Sequence, residues 1–207
     1  MKGLIIKDIL NLKRSLGSII AILIFYIFLA YNSGDPSMLI GMVVFLLAMM
    51  TITSISYDDM AKWDKLALAM PISRKTIVLS KYVLSLLLIA TGIFLSTTIS
   101  YIIILINSDI GLPQLLLTSY IIFFLSTIFI SIVLPLIFRF GVEKSRLMMM
   151  TVIGIPFGLF YLVNRLGFQL PNEDQFMNII KLSPIFLILF LFISFNTSFK
   201  IYKNKDM

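Results

Sequence analysis

The sequence predicts an all-α, polytopic membrane protein, and three observations carry that prediction. Of its 207 residues, 59% are hydrophobic and only 13% are charged, with a mean hydropathy of +1.04. Soluble domains are about half apolar and about a quarter charged. The apolar residues gather into six runs, each near or above the roughly 17–25 residues that a spanning helix needs. Lys and Arg, finally, crowd into alternate connections between those runs.

Taken in order, residues 1–14 mix Lys2, Lys7, Lys13 and Arg14 with apolar residues, of which Ile5, Ile9 and Leu12 recur at helical spacing. This reads either as an interfacial helix lying on the membrane or as a basic flank of the first span. The spans are expected at 16–31, 38–56, 76–106, 114–138, 147–163 and 184–199. The third is long enough to tilt or protrude. Pro135 and Pro156 are expected to kink the fourth and fifth, because proline removes a helix hydrogen bond. Ser183 followed by Pro184 reads as a cap and first residue of the sixth. The connection 164–182 carries Asn172 and Gln175 at capping-box spacing, followed by Phe176, Ile179 and Ile180, so it predicts a short helix at the outer interface. The whole chain, 1–207, reads as one transmembrane domain.

Orientation follows from the positive-inside bias. The N-terminus has four Lys or Arg, the 57–75 loop with Lys81 has five, residues 139–146 have three and the tail has three; the opposite connections hold two. Both termini and the 57–75 loop are therefore expected in the cytoplasm, in a multi-pass protein of the cell membrane. The same distribution explains the net charge of +7 without nucleic acid.

The 57–75 loop is the chain's polar punctuation. It holds three aspartates, four basic residues and the only tryptophan. At 3.6 residues per turn, Met60, Trp63, Ala67 and Met70 share a face with Leu66 beside them, while Asp58, Lys62 and Lys65 lie opposite. Asp58 and Lys62 stand in the i, i+4 order that supports a helix. Pro71 ends the segment, and Ser73 can cap the next helix, with Arg74 and Lys75 behind it. A short amphipathic helix, a sharp turn and a new helix start are expected. Trp63 reads equally as an interfacial anchor and as a partner contact.

Catalytic chemistry is hard to place on this sequence. It has no cysteine or histidine, which removes thiolate nucleophiles, Cys/His zinc sites and His-dependent triads. No phosphate-binding loop, dinucleotide fingerprint or HExxH occurs. The spans carry essentially no ionisable residue except Lys81, which weighs against an ion-coupled carrier. Ser96, Thr97 and Ser100 in the third span are candidates to line a pathway. The plainer reading is that such hydroxyls bond back to their own helix or hold neighbours together. Gly154 and Gly158 have GxxxG spacing, but the Pro156 between them favours close packing over a dimer seam.

Asp58-Asp-x-x-Lys62-Trp-Asp64, then Leu68-Ala-Met-Pro71-Ile-Ser-Arg74-Lys75, then Val78-Leu-Ser-Lys81-Tyr82 resembles the ABC-2 type permease family, in particular its small six-helix members without a fused ATPase. Met70 stands where that family usually has leucine. The resemblance implies an ABC-2 permease bundle with a cytoplasmic amphipathic coupling helix. It further implies a second permease, a copy or a paralogue, and a separate ATP-binding subunit that carries ATP and Mg. The direction implied is export, with peptide substrates the narrower match. No cofactor is expected on this chain. On this reading Asp58, Asp59, Lys62, Trp63, Asp64, Pro71, Ser73 and Arg74 form the ATPase-coupling element. A non-transporting sensor or immunity module and an ion-coupled carrier are the competing readings.

Overall fold

The computed structural model describes all residues except 34, 64–65, 68–69, 71, 108–110, 167–172 and 205–207. The described residues form helices and their connections: α1 (Lys2–Leu12), a 3-10 turn (Lys13–Ser15), α2 (Leu16–Ser33), α3 (Ser37–Met60), α4 (Arg74–Asn107), α5 (Leu112–Arg165) and α6 (Glu173–Lys203). Five stretches among them are long and apolar enough to cross a membrane, namely Lys2–Ser33, Ser37–Met60, Arg74–Ile106, Leu112–Val152 and Ile180–Lys203. The chain is a multi-pass, all-helical membrane protein.

Two compact units divide it, Met1–Thr127 and Ile128–Asp206. In the first, α3 and α4 run antiparallel and build most of the interface. Leu39, Ile40, Val43, Val44 and Ala48 of α3 are buried, as are Val78, Leu84 and Ile89 of α4. The two backbones come close at Gly92. A Cβ there would stand 3.3 Å from the Val44 Cα and 3.2 Å from Leu47 Cδ1. Small residues permit such an approach, and with it the dispersion contacts that hold helices together in lipid. At the far end Ser100 Oγ donates to the Pro36 carbonyl at 3.2 Å, tying α4 to the α2–α3 turn. Ala30 of α2 joins Leu39, Val43 and Ile103 in one buried cluster.

α4 is 34 residues long, about 51 Å at 1.5 Å per residue, so it overshoots a hydrocarbon core of about 30 Å. It begins and ends within two residues of the third expected span.

The second unit holds the latter part of α5 with α6. Ile130, Val133, Leu134 and Ile137 are buried, Ser194 Oγ donates to the Ser131 carbonyl, and Phe138 meets Tyr202 edge-on with centroids 5.5 Å apart. Three expectations change here. The fourth and fifth expected spans both fall on α5, whose one departure from helical angles is Gly141 (φ 78, ψ 170). Six separate spans require a division at that glycine; Pro135 and Pro156 sit inside helix on either side of it. The sixth span does not begin at Pro184, which lies inside α6. Pro184 cannot donate to the Ile180 carbonyl four residues back, and Ser183 Oγ donates to that oxygen instead, at 2.6 Å. Asn172 lies outside the described residues.

Candidate functional site

α1 presents Leu4, Asp8 and Leu12 on one buried stripe, the i, i+4 rhythm of a helix packed along one side. Ile9 is 50% exposed, and an aspartate takes the centre of the buried stripe. α3 answers with Ser54 and Asp58, four residues apart and both buried, and α4 contributes Lys81 from its second turn. An ion taken from water into such a place needs an opposite charge and filled hydrogen-bond positions.

Both conditions are met. The Lys81 ammonium donates to Asp8 Oδ1 and Oδ2 at 2.9 and 2.8 Å, to Ser54 Oγ at 3.3 Å, and to Asp58 Oδ2. The other Asp58 oxygen, Oδ1, accepts from Lys7 Nζ at 2.6 Å, and Lys7 stands 3.1 Å from Asp8 Oδ1. Two cations thus neutralise two carboxylates, each aspartate shared between both lysines. Lys7, the least buried of the four, also lies 4.2 Å from the centroid of the Trp63 ring, a cation–π contact. Ser15 and Tyr57 add a hydroxyl pair at 3.2 Å. The N-terminal helix is therefore stapled both to the last turn of α3 and to the start of α4, the two ends of the 61–73 connection.

How α3 ends corrects the expected helix. α3 continues through Met60, and Ala61 caps it. Lys62 then turns left-handed at φ 50, occupying the C′ position where glycine is usual. With Lys62 out of the helix, the expected Asp58–Lys62 pair does not form. Asp58, expected on the wet face, is buried and held by Lys7 and Lys81. Of the residues expected on one face, Ala67 is buried, whereas Met60 and Met70, and Leu66 beside them, are 78%, 43% and 54% exposed. Asp59 and Lys62 are exposed and Trp63 is half-buried. Asp64, Lys65 and Pro71 lie outside the described residues. Ser73 does cap α4: its Oγ accepts from the Thr76 amide at 3.2 Å and pairs with Thr76 Oγ1 at 2.7 Å. Arg74 is the first residue of that helix.

A family model described as ABC-2 family transporter protein matches residues 3–203. The chain belongs to the ABC-2 transporter family. No individually curated protein matches it. As an ABC-2 permease, it is a membrane component of a transporter.

The permease's span hydroxyls are mostly committed to backbone. Ser96 Oγ donates to the Gly92 carbonyl at 2.7 Å, Thr97 Oγ1 to Ile93 at 2.6 Å, and Ser100 reaches Pro36 as above. Ser96 and Ser100 are buried. Thr51 differs: it is buried, and its hydroxyl has no hydrogen-bond partner among the described residues. It lies on the same face of α3 as Ser54 and Asp58, extending a polar stripe from the junction into the helix pair. Sequence reasoning missed Asp8. The signal was present, since an acid in the middle of Leu4-x-x-x-Asp8-x-x-x-Leu12 demands a cation, and Lys81 was the one cation inside a predicted span.

Proposed function

We propose that this chain is the permease subunit of an ATP-driven exporter, moving an amphipathic or hydrophobic substrate, a peptide foremost, out of the cell. On this reading six spans, with α5 divided at Gly141, form half of a transport wall. A second permease, a copy or a paralogue, completes it. Both termini lie in the cytoplasm, and a separate ATP-binding subunit supplies ATP and Mg chemistry.

The observation that carries this reading is the four-charge junction. ATP hydrolysis on another subunit must enter the membrane through an element stiffly joined to spans. The 61–73 connection has that join: Lys7–Asp58 and Lys81–Asp8 tie its two ends to α1, and Lys81–Asp58 ties them to each other. Its exposed groups, Met60, Leu66 and Met70 beside Asp59 and Lys62, suit a partner with an apolar pocket rimmed by charge. Trp63, clamped under Lys7, is the natural anchor, because buried aromatic residues dominate interface energies.

The same junction favours a second reading. Buried aspartates and a lysine near a span end are what ion-coupled carriers use. Transport in vesicles separates the two. Export that requires ATP and a co-purifying ATPase, and that survives collapse of ion gradients, supports the exporter. Export that runs on an ion gradient without nucleotide overturns it.

A further inference from the structure

An open groove of about 390 Å³ lies among α1, α2, α3 and α4, within the range of about 300–1,000 Å³ typical of small-molecule sites. Leu16 and Ile20 of α2, Leu47 and Met50 of α3, and Leu88 and Leu95 of α4 wall it. Leu16, Ile20 and Leu95 are 45%, 55% and 44% exposed, so this apolar trough is not filled by the chain itself. Only two polar residues line it, Thr91 and Lys13. Thr91 does not wet it, because its Oγ1 donates to the Leu88 carbonyl of its own helix at 2.9 Å. Lys13 stands at the rim on the 3-10 turn, with Arg14 next to it, and both are exposed.

A dry trough along a membrane-spanning stretch takes hydrocarbon, and the Lys13 cation on its lining, with exposed Arg14 the next residue in the chain, selects the head attached to that hydrocarbon. We propose that this groove is a site for an anionic phospholipid, with one acyl chain between α2, α3 and α4 and the phosphate on Lys13 and Arg14. The Lys and Arg distribution assigns this end of the chain to the cytoplasmic leaflet, where anionic lipids are concentrated. The site is independent of whether the permease is driven by ATP.

The test uses the full-length protein in nanodiscs containing photoactivatable-acyl phosphatidylglycerol or the matching phosphatidylcholine. Each cation near a headgroup is worth about a fivefold preference. Wild type should therefore be labelled by the anionic lipid at least fivefold more than by the neutral one, within residues 16–23 and 47–50. Lys13→Gln with Arg14→Gln should erase that preference while neutral-lipid labelling persists, which also reports that the variant is folded. Thr91→Phe, filling the trough, should abolish labelling of these segments by both lipids. Equal labelling of wild type by the two lipids would reduce the groove to ordinary bilayer contact and overturn the proposal. The sequence has no cysteine, so a single Ile20→Cys gives a clean second arm. Copy-to-copy disulfides there that excess phosphatidylglycerol does not suppress would make the groove an interface between permeases instead.

Discussion

Two segments of this permease carry clustered basic residues, the 61–73 connection and residues 139–146 of α5, and they are built in opposite ways. The 61–73 connection is held by partners distant in sequence: Lys81 reaches Asp8 across 73 positions, and Lys7 reaches Asp58 across 51. The polar and ring contacts of residues 139–146 are local. Ser145 Oγ donates to the Gly141 carbonyl at 2.6 Å, Arg139 lies 5.1 Å from the neighbouring Phe140 ring, and Glu143, Lys144 and Arg146 are exposed. Its backbone is set by Gly141 at angles that only glycine adopts readily. The lesson is mechanical. A connection whose ends are tied by buried ion pairs is joined stiffly to its helices, whereas the backbone of the other segment is set by one glycine and local bonds.

The largest effect should come from breaking the ties of the first. Lys81→Met leaves Asp8 and Asp58 with Lys7 as their only cation, and removing one partner of a buried ion group typically costs about 3–5 kcal/mol. Thermal unfolding in detergent should show a large loss, while Arg146→Ala in the second segment leaves the transition near wild type. Equal losses would erase the distinction between the two regions.

The next effect concerns the ATPase complex. Trp63→Ala should weaken binding of the ATP-binding subunit by about 2 kcal/mol or more, the scale of an interface anchor. Lys144→Ala should change it little. Pull-down normalised to permease content compares them directly, and the reverse order would move the docking surface to residues 139–146.

A smaller change tests the second segment. Gly141→Ala places a Cβ at φ 78, ψ 170, a strain of about 1–3 kcal/mol. Beyond its chain neighbours and the nearby helix backbone, nothing lies within 4 Å of that Cβ, so the loss should reflect backbone angles and should be similar for Gly141→Ser. The smallest effect is a gain. Lys62→Gly relieves a left-handed non-glycine residue at the end of α3 and should stabilise by up to about 1 kcal/mol, read as a higher melting temperature.

What could be read in the sequence was what local rules govern. The apolar run at 76–106 predicted α4 almost to the residue, and Ser73 was recognisable as its cap because capping needs only the three residues that follow. The family resemblance rested on contiguous residues and holds over residues 3–203. What stayed hidden depended on distant partners. Asp58 read as a solvent-facing residue paired with Lys62 because nothing local reveals Lys7 and Lys81. Asp8 was overlooked for the same reason. Pro184 read as a helix start because the rescue of Ile180 by Ser183 is a side-chain rotamer, not a pattern. Where α3 stops was equally illegible, since a lysine is an unusual choice for a left-handed position.

The measurement that bears most directly on coupling through the junction is a double-mutant cycle of Asp8→Ala and Lys81→Met. Its readout is transport per ATP hydrolysed in vesicles, at equal amounts of folded permease–ATPase complex. Transmission through the ion pairs predicts that each single change lowers that ratio by about tenfold or more. Because the two residues act as one unit, the double change should be no worse than the poorer single. Singles that export as many molecules per ATP as wild type, or losses that simply multiply, would contradict it and leave the junction a purely structural clamp.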